Sequence, residues 1–132
     1  MKKTFILIIS ALALTACHHE TLDERAKRET KEYTQKYCPT PFINYTRTDS
    51  MTFENSSRTI IYYCSFSDKM DNADIINKNN KKIIDGLKKG ISDNTGIKSY
   101  IDGGLNFRYV VHSKKNPEQI LFKHDFNNKE IK

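Results

Sequence analysis

The side chains in this sequence whose chemistry could go beyond packing are three cysteines, four histidines and seven tyrosines. A hydrolytic or metal site needs several of them brought together, as three or four ligands around an ion or as a nucleophile with its base. The spacings give no such set. There is no G-x-S-x-G, H-E-x-x-H, phosphate-binding loop, dinucleotide glycine pattern or Cys-x-x-Cys, and no histidine stands near Cys38 or Cys64 to complete a zinc site. His18 and His19 read as polar linker. His112 and His124 flank a turn centred near Asn116, and pairing across it would place His112 opposite Ile120 and Arg108 opposite His124, so the two imidazoles would not share a site. No catalytic residue, metal or cofactor is expected. The tyrosines offer a different chemistry, because each joins an apolar ring to a polar tip suited to a recognition surface. Tyr62, Tyr63, Arg108 and Tyr109 are the candidate binding face, set against the alternative of cross-strand packing.

The chain opens with Lys2 and Lys3, an apolar run from Phe5 to Ala16, and then Cys17. That order is the basic, hydrophobic and cleavage regions of a secretory signal, and the run is well short of the roughly 20 residues a membrane-spanning helix needs. Leu14, Thr15, Ala16 and Cys17 resemble the lipobox of bacterial lipoproteins. The resemblance implies cleavage between Ala16 and Cys17, a diacylglyceryl group on the Cys17 thiol and attachment to a membrane through lipid, each buried methylene contributing about 0.8 kcal/mol. His18 stands where inner-membrane lipoproteins often carry aspartate, which implies the outer membrane, facing the periplasm or the exterior. If Cys17 carries lipid, Cys38 and Cys64 remain as a pair. A disulfide between them would close a loop of about 27 residues and contribute roughly 3.5 kcal/mol by loop-closure entropy. The other reading is two buried thiols, since one possible connectivity does not establish proximity.

Removing residues 1–16 takes away two lysines and no acid, so the net charge falls from +6 to +4. The excess favours anionic headgroups or an acidic partner, but the lysines form no block, and nucleic acid is not expected in the envelope. The remaining length suits one domain with a modest core.

The elements that would position these side chains begin with a charged helix. Thr21 and Glu24 have the spacing of a capping box, and opposite charges recur four apart at Asp23–Lys27, Glu24–Arg28, Arg25–Glu29, Arg28–Glu32 and Glu32–Lys36. Leu22, Ala26, Tyr33 and Tyr37 make a thin apolar stripe, so residues 17–37 read as linker and helical stalk, docking only at the far end through the tyrosines. Cys38-Pro39-Thr40-Pro41 ends the helix, and a single domain is expected over 38–126. Ser50–Phe53 and Thr59–Phe66 read as a hairpin, with Ile60, Tyr62, Cys64 and Phe66 on one face of the second strand and Ile61, Tyr63 and Ser65 on the other. A helix from Asp71 or Asn72 to about Asp93 carries Ile76, Ile83, Ile84, Leu87 and Ile91 on one face. Ile97–Ile101, Leu105–His112 and Gln119–His124 follow as strands, the first two joined by a tight turn at Asp102-Gly103-Gly104. Residues 127–132 should fray. The expected fold is α+β: a helical stalk, then β-β-α-β-β-β, a twisted antiparallel sheet with one long helix on a face.

The segments from Cys38-Pro39 through Asp49-Ser50 and Tyr100-Ile101-Asp102-Gly103-Gly104 resemble small exported lipoproteins of unknown function from the Bacteroidales. The resulting expectation is a lipid-anchored envelope lipoprotein, a non-enzymatic module that binds a protein or glycan. The alternative is an envelope enzyme or an enzyme inhibitor, although a +4 chain is a poor electrostatic match for a cationic lysozyme.

Overall fold

In the computed structural model, which describes residues 19–131, the chain starts with the helix its capping signal predicts. The expected cleavage and lipidation site at Ala16 and Cys17 lies outside the described residues. Helix α1 (Leu22–Tyr37) is capped by Thr21, whose hydroxyl accepts the Glu24 N–H at 3.1 Å while the Glu24 carboxylate accepts the Thr21 N–H at 3.2 Å. Arg25–Glu29 and Arg28–Glu32 pair at helical spacing, but Arg28 also takes Glu20, and Asp23 leaves the helix surface to meet Arg58 at 2.8 Å.

A free stalk does not form. Leu22, Ala26, Thr30 and Thr34 recur every fourth residue, and this row faces the sheet, with Ala26 fully buried and Thr30 nearly so. Threonine is tolerated there because its polar atom is satisfied: Thr30 donates to the Ala26 carbonyl at 2.8 Å, and Thr34 binds the sheet backbone at Met51. Tyr33 and Tyr37, expected to dock, are exposed and lean on one another with ring centroids 5.1 Å apart. A count of apolar residues alone misses a docking stripe that is half threonine.

The elements that follow are β1 (Thr46–Glu54), β2 (Thr59–Phe66), α2 (Ala73–Lys78), α3 (Asn80–Asp93), α4 (Lys98–Asp102), β3 (Asn106–Ser113), β4 (Ile120–Phe126) and α5 (Asn128–Ile131). The expected α+β class holds, with the helix first and one four-stranded sheet in the order β1-β2-β3-β4. The sheet is mixed and not wholly antiparallel, because β2 and β3 run parallel from Thr59↔Asn106 to Phe66↔Ser113. The helical segment between them must therefore carry the chain back to the end where β2 began.

The expected strand at Ile97–Ile101 is the last piece of that crossover. Asn94 accepts the Gly96 N–H, a 3-10 turn follows over Thr95–Ile97, and α4 continues it. Ile97, Tyr100 and Ile101 stand at helical i, i+3, i+4 spacing, and the last two are buried. The expected single helix from Asn72 to Asp93 is two. Asn72 caps α2 as expected, accepting the N–H groups of Asp74 and Ile75, and the Asn79 side chain ends it by donating to the Ile75 carbonyl at 2.8 Å.

The helices cover one face of the sheet. Ile60, Leu105, Phe107 and Phe126 form a core with Ala26, Ile91 and Tyr100, and Cys64, Phe66, Val111 and Phe122 form a second with Ile76. The tail is not frayed: Asn128 donates to the carbonyls of Ile101 at 2.6 Å and Leu105 at 3.1 Å, and Ile131 is buried. On the opposite face Ile61 and Val110 are buried, yet neither belongs to a core shared with a helix. Across the β3–β4 turn His112 meets Ile120 as expected, but an irregularity between Val111 and His112 shifts the rest by one residue, so Arg108 meets Asp125 and Tyr109 meets His124. Among the described residues no helix is long and apolar enough to cross a membrane.

Candidate functional site

Strand alternation divides the four residues expected to form one binding face. Tyr62 and Tyr109 lie on the helix-covered side, stacked with centroids 4.6 Å apart and planes within 10°. Tyr63 and Arg108 point to the opposite side, where Arg108 pairs with Asp125 and stands 3.9 Å from Glu54. The tyrosine pair and the arginine therefore cannot contact one ligand.

A cleft of about 300 Å³ opens on the helix-covered side, between α1 and the turn that precedes α4. Met51, Ile60 and Tyr62 form its floor, Thr30 and Tyr33 stand on the α1 wall, and Ile97 on the other. Its rim is a closed polar network: the Tyr100 hydroxyl donates to Glu29, the Arg25 Nε donates to the same carboxylate at 2.7 Å, and the Arg25 guanidinium lies 5.5 Å over the Tyr100 ring. Burial pushes the Tyr62 phenol up to about 12, and burial with the Glu29 hydrogen bond raises Tyr100. Burial also works to raise Glu29, but the hydrogen bonds from Tyr100 and Arg25 outweigh it and hold the carboxyl below its usual range. At neutral pH the cleft thus presents neutral phenols and aliphatic surface, with its one carboxylate already committed. Such a site holds an apolar group with a hydrogen-bonding edge and supplies no free acid or base.

The two thiols lie beside this cleft, close enough to act on Tyr33 in its wall. Thr48, which lines the cleft, pairs with Cys64 across β1–β2 and binds Thr40, two residues after Cys38, through both backbone groups. Burial pushes the Cys64 thiol up to about 11 against a hydrogen bond with Thr48, and the charges of Asp49 and Cys38 push it further. Burial and Asp49 likewise raise Cys38. Both cysteines are free thiols here.

A second hollow, of about 350 Å³, lies on the open face among Arg47, Asp49, Tyr63, Ser65, His112 and Lys114. Ser65 and His112 are cross-strand neighbours, which brings a hydroxyl beside an imidazole. The hydroxyl donates to Asp49, which also accepts from Arg47 Nε at 2.8 Å, so the imidazole does not activate it. The His112 Nδ1 is buried without a partner. Among the described residues no three histidine, cysteine or acidic side chains are grouped to hold a metal.

The cleft depends on residues that a motif search passes over. Thr34 fastens α1 to β1 at Met51, Thr30 is buried with its hydroxyl satisfied inside the helix, and Asn94-Thr95-Gly96 folds the facing wall. Their fourfold spacing and the Asn-x-Gly turn were the available signals.

The family described as a domain of unknown function (DUF8479) matches residues 21–122. A comparison with curated proteins returns no match. Among solved structures, a candidate secreted protein of Pseudomonas aeruginosa shares the fold with a TM-score of 0.66 at 16% identity, covering 85% of this chain and 98% of that one. The type 2 secretion system pilotin of Vibrio vulnificus aligns with a TM-score of 0.63 at 9% identity over 83% and 91% of the two chains. The type II secretion system pilotin of Vibrio cholerae gives 0.58 at 13% identity over 82% and 90%. At these identities the likeness is one of fold.

Proposed function

Because the chain belongs to the DUF8479 family and folds as the secretion pilotins do, we propose that it is a lipid-anchored interaction module of the cell envelope. In this reading the lipobox-like Leu14–Cys17 is cleaved, the Cys17 thiol carries the lipid, and the protein sits at the outer membrane. Only His18, His19 and Glu20 separate that cysteine from the capped start of α1, about 10–14 Å of extended chain. Since α1 is packed into the domain, it cannot hold the head away from the bilayer. The head works next to the membrane.

The observation that carries the reading is the cleft between α1 and α4. Its floor is apolar, its phenols are neutral and its rim ions are paired, which favours a side chain of a partner protein over a charged substrate. Tyr33, 37% exposed at its mouth, is positioned to contact that partner. Catalysis is disfavoured by the open-face hollow as well, where Ser65, the cross-strand neighbour of His112, is bonded to Asp49.

A photo-crosslinking amino acid in place of Tyr33, in cells making the full chain, tests this proposal together with the intact mass of the membrane-extracted protein. The reading expects an acyl mass on Cys17 and one dominant adduct with an envelope protein, lost when Met51→Arg fills the cleft floor. A chain that stays wholly in the aqueous phase without acyl mass would overturn the anchor. Adducts unchanged by Met51→Arg would overturn the cleft.

A further inference from the structure

The direction of every backbone group along the edge strand β4 follows from the bonds of its neighbour. The Asn106 N–H reaches the Arg58 carbonyl at 2.9 Å and the Lys114 N–H reaches Phe66 at 3.0 Å, both toward β2, whereas the Ser113 N–H goes to Gln119 at 3.0 Å, toward β4. Alternation therefore turns the even-numbered residues of β3 to β2 and the odd-numbered ones to β4. Tyr109↔His124 and Phe107↔Phe126 are then hydrogen-bonded pairs, so His124 and Phe126 use their backbone groups inward. Lys123 and Asp125 turn theirs outward, on the side where the sheet ends.

We propose that the chain self-associates along this edge, β4 against β4 of a second copy, antiparallel about a twofold axis through His124. The hydrogen-bond parity allows an outward residue to face only another outward residue, which limits the centre of symmetry to a residue and not to a point between two. Centring on Lys123 sets two ammonium groups opposite each other, and centring on Asp125 sets two carboxylates opposite. Centring on His124 places each Lys123 opposite Asp125 of the second copy, and each Phe122 opposite Phe126 on the helix side. Opposite charges directly across an antiparallel pair attract and like charges repel; centring on Phe122 would set Lys123 opposite Leu121 with no charge pair, so the His124 register is the one of these four that pairs Lys123 with Asp125. Asp125 remains 64% exposed although it is paired with Arg108, leaving room for a second cation. Two of the large apolar side chains left exposed lie on this flank: Ile120, which opens β4, and Ile75 on α2, which packs against β4.

The product is a continuous eight-stranded sheet. Its twofold axis is perpendicular to the sheet, so the helices of both copies remain on one side, and both chain starts leave from that side. Two lipid tethers could then enter one bilayer, with the open sheet face turned away from it.

Charge reversal tests the register. Sedimentation equilibrium of the full chain in detergent should show a reversible dimer. Lys123→Asp and Asp125→Lys should each weaken it by about tenfold or more, since both cross-strand pairs become repulsive. Mixing the two variants should restore the dimer, because each reversed residue then faces its opposite. Lys123→Pro should also abolish it while preserving the fold, for it removes only an outward N–H. A wild-type chain that stays monomeric, reversed variants that dimerise as wild type does, or a mixture of folded variants that remains monomeric would each overturn the proposal.

Discussion

Along the outer side of β1 the backbone of Met51 meets the Thr34 hydroxyl twice, N–H to Oγ at 2.8 Å and Oγ to carbonyl at 2.9 Å, while the Thr48 N–H donates to the Thr40 hydroxyl and the Thr48 carbonyl accepts the Thr40 backbone N–H, both at 3.0 Å. Along the outer side of β4 the backbone groups of Lys123 and Asp125 face away from the sheet, and among the described residues no strand follows. Both edges pose the same problem, a row of peptide groups ready to pair with another chain. The chain seals one with α1 and the loop that follows it, and in the described residues leaves the outward backbone of the other open between alternating charges. An edge closed by side chains is fixed within the monomer. An edge carrying a lysine and an aspartate two residues apart on one face is guarded against most strands and complementary to itself.

Substitutions in the core and at each edge should separate the two cases. Phe107 lies fully buried between the two edges, and Phe107→Ala should lower the unfolding free energy by about 3–5 kcal/mol in urea melts, harming both edges alike. Oxidation should act on the sealed side alone. If Cys38 and Cys64 bridge, the oxidised protein should exceed the reduced one by roughly 3.5 kcal/mol, and Cys38→Ser should remove the difference.

The reduced protein should also lose stability in alkali. Burial holds the folded Cys64 thiol at about 11 against an ordinary value of 9.0, so the stabilisation is complete below pH 9 and disappears as the pH rises through 11. The loss is about 2–3 kcal/mol. Tyr62, pushed up to about 12 from 10.0, extends the decline, and melts recorded from pH 8 to 12 would show it. Thr34→Val leaves both Met51 backbone groups without their partner and should cost about 2 kcal/mol in the same assay. Lys123→Ala on the open edge should change monomer stability by no more than about 0.5 kcal/mol, while weakening self-association.

The difference between the edges also explains what the sequence disclosed. Period-two alternation in residues 59–66 placed Ile60, Tyr62 and Cys64 together, and the structure keeps that face. The Thr21–Glu24 box located the start of α1. These signals are local, carried by neighbours a few residues apart. The seal on β1 is not local: Thr34 and Met51 are 17 residues apart, and nothing in either segment announces the partner. The turn before β1 is hidden for a related reason. Asn44 and Tyr45 both adopt positive φ, 52° and 65°, between the paired Ile43 and Thr46, and tyrosine is not a residue that signals such a turn. The cleft inherits this difficulty, since its walls are α1, held by threonines, and α4, whose Ile97-x-Ser99-x-Ile101 spacing fits a strand as well as a helix until Tyr100 is seen to be buried. Tyr62 and Tyr63 are adjacent in sequence, and for that reason they belong to different surfaces.

Hydrogen exchange at four amides addresses the contrast most directly. In dilute solution the N–H groups of Met51 and Thr48 should be protected by Thr34 and Thr40, while those of Lys123 and Asp125 exchange freely and gain protection as the protein concentration rises. Equal protection of all four at every concentration, or free exchange at Met51 and Thr48, would mean that the protein does not have one sealed and one self-complementary edge.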